Sequence, residues 1–260
     1  MSSTPDRKFF VHAPHAEVGL TSGVWQPMPQ PAVVPPLPQT DTKPQLCLMS
    51  GCPSYRSDQS LLALAGFMEQ HYEVSCKKAF ARSRNDVPGL EHLEKCNGLV
   101  LFAQRQAIEG QQLEWLHEYV VRGGPVVAVI PPGSTFLNWI DWEADVLGIR
   151  STSRAYGSPG AAIETAPYAE GHPVLQDVGR LRHPGCVTTL PDVDEHTTAV
   201  LSACIEDRVE PVAWVRNQDE TRSFFTTLGQ PTDFQQPAFL QLLANAALWS
   251  IGSLTSPARS

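Results

Sequence analysis

From Pro44 onward, short apolar runs alternate with stretches of helical period. Leu46-Cys-Leu-Met49 ends in Ser50-Gly51 and predicts a buried first strand. Leu61, Leu62, Leu64, Ala65 and Met68 recur at helical spacing and predict a helix over Asp58 to Gln70, with Ser57 or Asp58 as its N-cap. Tyr72 to Cys76 alternates as a second strand would, and Gly98-Leu-Val-Leu-Phe102 is apolar throughout, as a third. Glu109 to Arg122 reads as an amphipathic helix with Leu113, Leu116, Val120 and Val121 inward, stopped by Gly123-Gly124. Val126 to Ile130 is a fourth strand, broken by Pro131-Pro132-Gly133.

The last third has the clearest pattern. Pro211 to Arg216 and Arg222 to Gln230 read as strands, and Asn217 to Glu220 is a polar joint of hairpin length. Phe239, Leu243, Ala246 or Ala247, and Ser250 or Ile251 share a helical stripe between Pro237 and Gly252. Between Ser134 and Val209 the pattern degrades, and runs such as Gly160 to Ile163 and Thr198 to Leu201 predict extra strands and loops. The whole predicts an α/β domain with a doubly wound, mostly parallel sheet, closed by a strand pair and a helix.

Composition adds bounds. Hydrophobic residues make up 42% and charged residues 18% of 260, a globular balance. Residues 1–43, with prolines at 5, 14, 27, 29, 31, 35, 36 and 38, read as an extended or disordered arm. Residues 44–253 form the domain and 254–260 a tail. His12 and His15 lack a carboxylate or cysteine partner and read as arm residues. The net charge of −8 argues against nucleic acid or an anionic membrane as partner. No apolar run reaches the ~20 residues that span a bilayer. Six scattered cysteines with no CxxC predict reduced thiols and a cytoplasmic setting. No phosphate-cradling glycine motif and no metal-ligand spacing occur, so no cofactor can be named and no metal is expected.

Several pieces, in one order, carry a family resemblance. They are Tyr119-Val-Val-Arg-Gly-Gly-Pro-Val-Val-Ala-Val129, Asn138-Trp-Ile-Asp-Trp142 leading to Leu147-Gly148, Gly171-His-Pro173, Pro211-Val-Ala-Trp214 and Phe224-Phe-Thr-Thr-Leu-Gly229. Together, from about Leu46 to Gly252, they resemble the ThuA-like (trehalose-utilisation) family, whose domains are flavodoxin-like and similar to class I glutamine amidotransferases. The resemblance implies a small-molecule ligand, a carbohydrate, in the crevice at the carboxyl ends of the strands. It leaves homo-oligomerisation open. The family usually has a histidine where Ile130 and Gln230 stand here. Isoleucine cannot transfer a proton, whereas glutamine can still bond a sugar hydroxyl. The turn after Ile130 has no cysteine, so a glutaminase nucleophile is not expected.

Five residues are candidates for ligand binding: Arg56, Asp141, His172, Gln230 and Asp233. Arg56 follows the first strand, where the family often places polar residues. Asp141 lies between Trp139 and Trp142, either as a carboxylate beside aromatic platforms or at a helix N-terminus above core tryptophans. His172, in Gly-His-Pro, lines the ligand site or pins a turn. Asp233, three residues past Gln230, is a rim carboxylate or the cap of a short turn. Cys52 could be a reactive thiol, but nothing near it in sequence would lower its pKa. His183, Asp192, Asp194, Glu195 and His196 read as a solvated polar loop, with a cation site as the alternative. A different class of function stays open: a non-catalytic interaction module that uses the proline-rich arm.

Overall fold

The computed structural model describes residues 43–131, 133–150, 155–189, 192–205 and 208–254, with side chains left out at 155–158. Apart from Lys43 the proline-rich arm lies outside the described residues, as does the tail beyond Leu254. Among the described residues ten strands and four α-helices follow one another. The helices are α1 (Ser57–His71), α2 (Gly110–Val121), α3 (Trp142–Leu147) and α4 (Pro237–Ser250).

An eight-stranded sheet forms the middle layer, in the order β2-β1-β3-β4-β10-β9-β8-β6. Its parallel part comprises β2 (Ser75–Phe80), β1 (Gln45–Gly51), β3 (Gly98–Ala103), β4 (Val126–Val129) and β10 (Thr221–Thr226). All residues of β3 and β4 are buried. Because side chains alternate between faces, such strands must be covered on both sides. That explains their unbroken apolar runs. The start of β1 is fixed to the start of β3 by a reciprocal pair, in which Gln45 N donates to Asn97 Oδ1 and Asn97 N to the Gln45 carbonyl, both at 2.8 Å.

The sheet is less parallel than the sequence suggests. Four of its seven pairings are parallel and three antiparallel, because β9 (Arg208–Gln218), β8 (Thr197–Ile205) and β6 (Ile163–Thr165) join beside β10. Between β8 and β9 and between β9 and β10 the connection is too short for a crossover, so those neighbours must reverse. The β9–β10 turn is only Asp219-Glu220, with Asp219 at φ 52°. Pro211 is tolerated inside β9 because the β8–β9 register slips beside it. A separate pair joins β5 (Ala155–Pro159) to β7 (Cys186–Thr189).

Some elements differ from expectation in detail. The second strand starts at Ser75 rather than Tyr72, because Tyr72 caps α1 by donating its N–H to the Met68 carbonyl at 2.9 Å. On α2, Val121 faces solvent and Tyr119 takes the inward place, its hydroxyl donating to the Pro125 carbonyl at 2.7 Å. α4 is buried almost all round, not along one stripe, because α1 and the turn at Pro173–Leu175 flank it against β3, β4 and β10. Its buried Asn245 is satisfied by donating to the carbonyls of Val174 and Gln176.

Candidate functional site

The carboxyl ends of β1, β3, β4 and β10 meet at one pocket. The turn after β1 supplies Tyr55, β3 ends in Phe102, and β4 runs out through Val129, Ile130 and Pro131. Past β10 come Thr227, Leu228, Gly229 and Gln230, and opposite them lie His183, Cys186 and Thr188. The enclosed floor is about 20 Å³, room for little more than a water molecule, so anything larger must lie in the open mouth. A more open groove lined by Phe67, His71, Tyr72 and Gln241 lies among the helices, away from the strand ends.

Leu228-Gly-Gln230 takes its shape from glycine. Gly229 has φ 135°, and a Cβ there would come within 2.3 Å of Val129 Cγ1. The two N–H groups that this turn frees, of Gly229 and Gln230, both donate to Asp233 Oδ2, at 2.9 and 2.8 Å. Asp233 is thereby held beneath the pocket and only 2% exposed. Its carboxylate also meets His183, with Nδ1 at 3.0 Å from Oδ2 and 3.2 Å from Oδ1. His183 is buried, and its Nε2 lies 3.4 Å from the Cys186 carbonyl. Burial opposes a charge on this imidazole. The hydrogen bond and charge of Asp233, with the Cys186 carbonyl, outweigh it and lift the pKa above the usual histidine value.

Gln230 reaches across the pocket. Its amide lies over Gly185, where a Cβ would come 2.1 Å from Nε2. Among the described residues that amide has no hydrogen-bond partner, so it is free to serve a ligand. Thr227 Oγ1 donates to the Thr188 carbonyl, which ties β7 to the end of β10.

Of the five sequence candidates the structure places Gln230 on the pocket wall and Asp233 buried behind it, bonded to the turn and to His183. Arg56 is exposed one residue beyond Tyr55, in a left-handed conformation (φ 50°), and its guanidinium donates to Gln59 Oε1. Asp141 precedes α3 at the surface and makes no side-chain cap bond. Of its flanking tryptophans, Trp142 is core and Trp139 donates to Asp145 at 2.9 Å. His172 is at the other end of α4, buried edge-on against Trp249 at 5.2 Å, and does not line the pocket. Its Nδ1 accepts from Val174 N at 3.2 Å, so it pins the Gly-His-Pro turn. Burial and nearby Arg222 push its pKa down to about 4, which fits a neutral acceptor.

His183 was missed as a site residue. It belongs to the stretch read as a solvated loop, yet it is buried, and its partner lies 50 residues away. The cation-site alternative for the same stretch fails differently. Asp194 is paired with Arg216 (2.8 Å to Nη2, 2.9 Å to Nε), so its counter-charge is a guanidinium. Among the described residues no group of three or more acidic, histidine or cysteine side chains is placed to hold a metal. Cys52 is buried, and burial raises its pKa despite Ser54 and the Tyr55 N–H.

An open α/β sheet with its pocket at the strand carboxyl ends defines a broad class of ligand-binding domains. Within that class the chain belongs to the ThuA family, described as trehalose utilisation, whose pattern matches residues 63–250. Solved structures agree on the fold. A ThuA-like protein from Parabacteroides merdae is 15% identical with a TM-score of 0.62, over 84% of this chain and 94% of that one. The cytoplasmic protein STM1381 from Salmonella typhimurium is 12% identical with a TM-score of 0.53, over 79% and 99%. Agd3, described as a novel carbohydrate deacetylase, is 12% identical with a TM-score of 0.52, over 82% of this chain but 32% of its own. No curated protein matches the chain significantly. Among the described residues no helix is long and apolar enough to cross a membrane.

Proposed function

We propose that the pocket at the strand ends binds a small carbohydrate and that the protein works in carbohydrate metabolism in the cytoplasm. The observation that carries this is the amide of Gln230, without a hydrogen-bond partner among the described residues, in a pocket walled by Tyr55 over buried Phe102 and edged by Thr188 and Thr227. Neutral amide and hydroxyl groups exchange hydrogen bonds with sugar hydroxyls, and aromatic faces suit the apolar faces of sugar rings. The family description and the carbohydrate deacetylase among the structural neighbours support the same class of ligand. Ile130, buried beside Gln230, offers shape only, so any chemistry must come from other groups in the pocket.

A thermal-shift screen against mono- and disaccharides tests the reading. A sugar at ~100 times its dissociation constant adds about 2.7 kcal/mol, and Gln230→Ala should abolish the shift without lowering the melting temperature of the free protein. If no sugar produces a shift, the carbohydrate reading fails, and pull-downs with and without residues 1–43 become the test of an interaction module.

A further inference from the structure

Most polar groups buried in this domain have an evident structural use. Asn245 ties down the turn beside α4, Arg216 and Asp194 neutralise each other, and Glu143 accepts from Thr135 N. His183 and Asp233 are different. Asp233 needs no histidine to close its turn, since the N–H groups of Gly229 and Gln230 already do so. The imidazole adds a second titratable group to a buried site, and it lines the pocket. Burying a titratable pair for stability alone is seldom a net gain.

We propose that His183 and Asp233 form a proton-transfer dyad of this pocket, with His183 donating its Nε2 proton to an oxygen of the bound molecule and Asp233 positioning the ring. Asp233 fixes the tautomer by accepting from Nδ1–H, which leaves Nε2 as the exchanging nitrogen. Nε2 has only a long contact, 3.4 Å to the Cys186 carbonyl, and a ligand oxygen is a better-placed alternative acceptor. In the step the Nε2–H bond breaks and an O–H bond forms on the ligand. The ring becomes neutral and recovers its proton from water, while Asp233 keeps its charge throughout. Among the described residues, the titratable side chains facing His183 are Asp233, bonded to its Nδ1, and Cys186 and Tyr55, which line the same pocket. The dyad restores, from a different position in the chain, the acid–base capacity that Ile130 and Gln230 lack.

The inference deepens the carbohydrate reading but can be judged without a ligand. Deuterium exchange at the imidazole Cε1–H, followed by mass spectrometry across pH, reports each histidine's midpoint and its access to solvent. In the free protein His183 should titrate above the ordinary value of 6.5, with a plateau rate below that of exposed His117 because its side chain is buried. Asp233→Asn should move the midpoint down, and His183→Gln should remove the signal and so confirm its assignment. A midpoint at or below 6.5 would make His183 a structural pin and overturn the proposal. Adding the sugar with the largest thermal shift should slow exchange at His183 and leave His117 unchanged. A sugar that binds without slowing His183 also overturns the dyad's role. A panel with no binder counts against the carbohydrate reading alone, because the exchange curve of the free protein still decides the dyad.

Discussion

Acid should weaken this protein through His172. The folded-state pKa is about 4 against an ordinary 6.5, because burial and the neighbouring Arg222 oppose the charge. Between those values the unfolded chain binds a proton that the folded chain refuses, so stability falls with falling pH. The contribution is fully present above pH 6.5 and is lost progressively down to pH 4. The difference, at ~1.4 kcal/mol per pH unit, is about 3 kcal/mol. For a domain of this size that corresponds to about 6–12 °C in melting temperature. The assay is urea denaturation of wild type and His172→Gln at half-unit steps from pH 7.5 to 4. Glutamine keeps an acceptor for Val174 N and cannot titrate. The wild-type curve should fall below that of the variant by about 3 kcal/mol more at pH 4 than at pH 7. Parallel curves would refute the reasoning, since they would mean that His172 is either solvated or already protonated in the fold. His183 works in the opposite sense. Its raised pKa stabilises the fold below 6.5, and that gain fades as pH rises through the folded value, above the window where His172 acts.

Other outcomes follow from the same geometry. Gly229→Ala should cost about 2–4 kcal/mol, from the positive φ and the clash with Val129, and Val129→Ala should relieve only part of it in a denaturation series. Arg216→Met should cost about 1–3 kcal/mol by leaving half-buried Asp194 without its charged partner, and Arg216→Met with Asp194→Leu should recover much of the loss. A thiol reagent on the native protein should modify exposed Cys186 and Cys204 first, and Cys47, Cys52 and Cys96 only on unfolding, as peptide mapping would show. His172→Gln should leave any sugar response at the pocket intact at pH 7.5, in contrast to Gln230→Ala.

The parallel half of the fold was legible because strands buried on both faces must be apolar along their length, as Leu99 to Phe102 and Val126 to Val129 are. Of the antiparallel neighbours, β9 was legible as the partner of β10 because the polar joint Asn217 to Glu220 has hairpin length. β8 and β6 were expected only as extra strands without a place in the sheet, and β6 has only three residues to give a period. At the site, Leu-Gly-Gln pointed to Gln230 and Asp233 because the family resemblance places it at a strand end, where open α/β sheets bind ligands. His183 gave no such signal. Its neighbours Pro184 and Gly185 read as loop, and nothing local announces a partner beyond Gly229. Arg216 did give one. An arginine next to Val215 in a buried strand demands a counter-charge, and the acidic run at 192–195 could have been matched to it. His172 and Asp141 were drawn in by motif context, and burial against Trp249 in one case and solvent exposure in the other separate them from the pocket.

Both margins of the large sheet are poor templates for further strands. At β2, Lys77 and Lys78 place charge along the border, and Gly89 presses so near the Lys78 carbonyl that a Cβ would sit 2.1 Å from it. At the far margin β6 is three residues long, and adjoining Ala162 is already bridged to Arg182. Among the described residues a second chain therefore finds only short, charged or partly covered backbone on which to lay a strand, so concentrated solutions of the folded domain should resist growing ordered filaments by edge pairing. Fibrillar growth, if induced, would then report loss of the turn at Gly89 or of β6, and opening of a margin becomes a visible marker of partial unfolding.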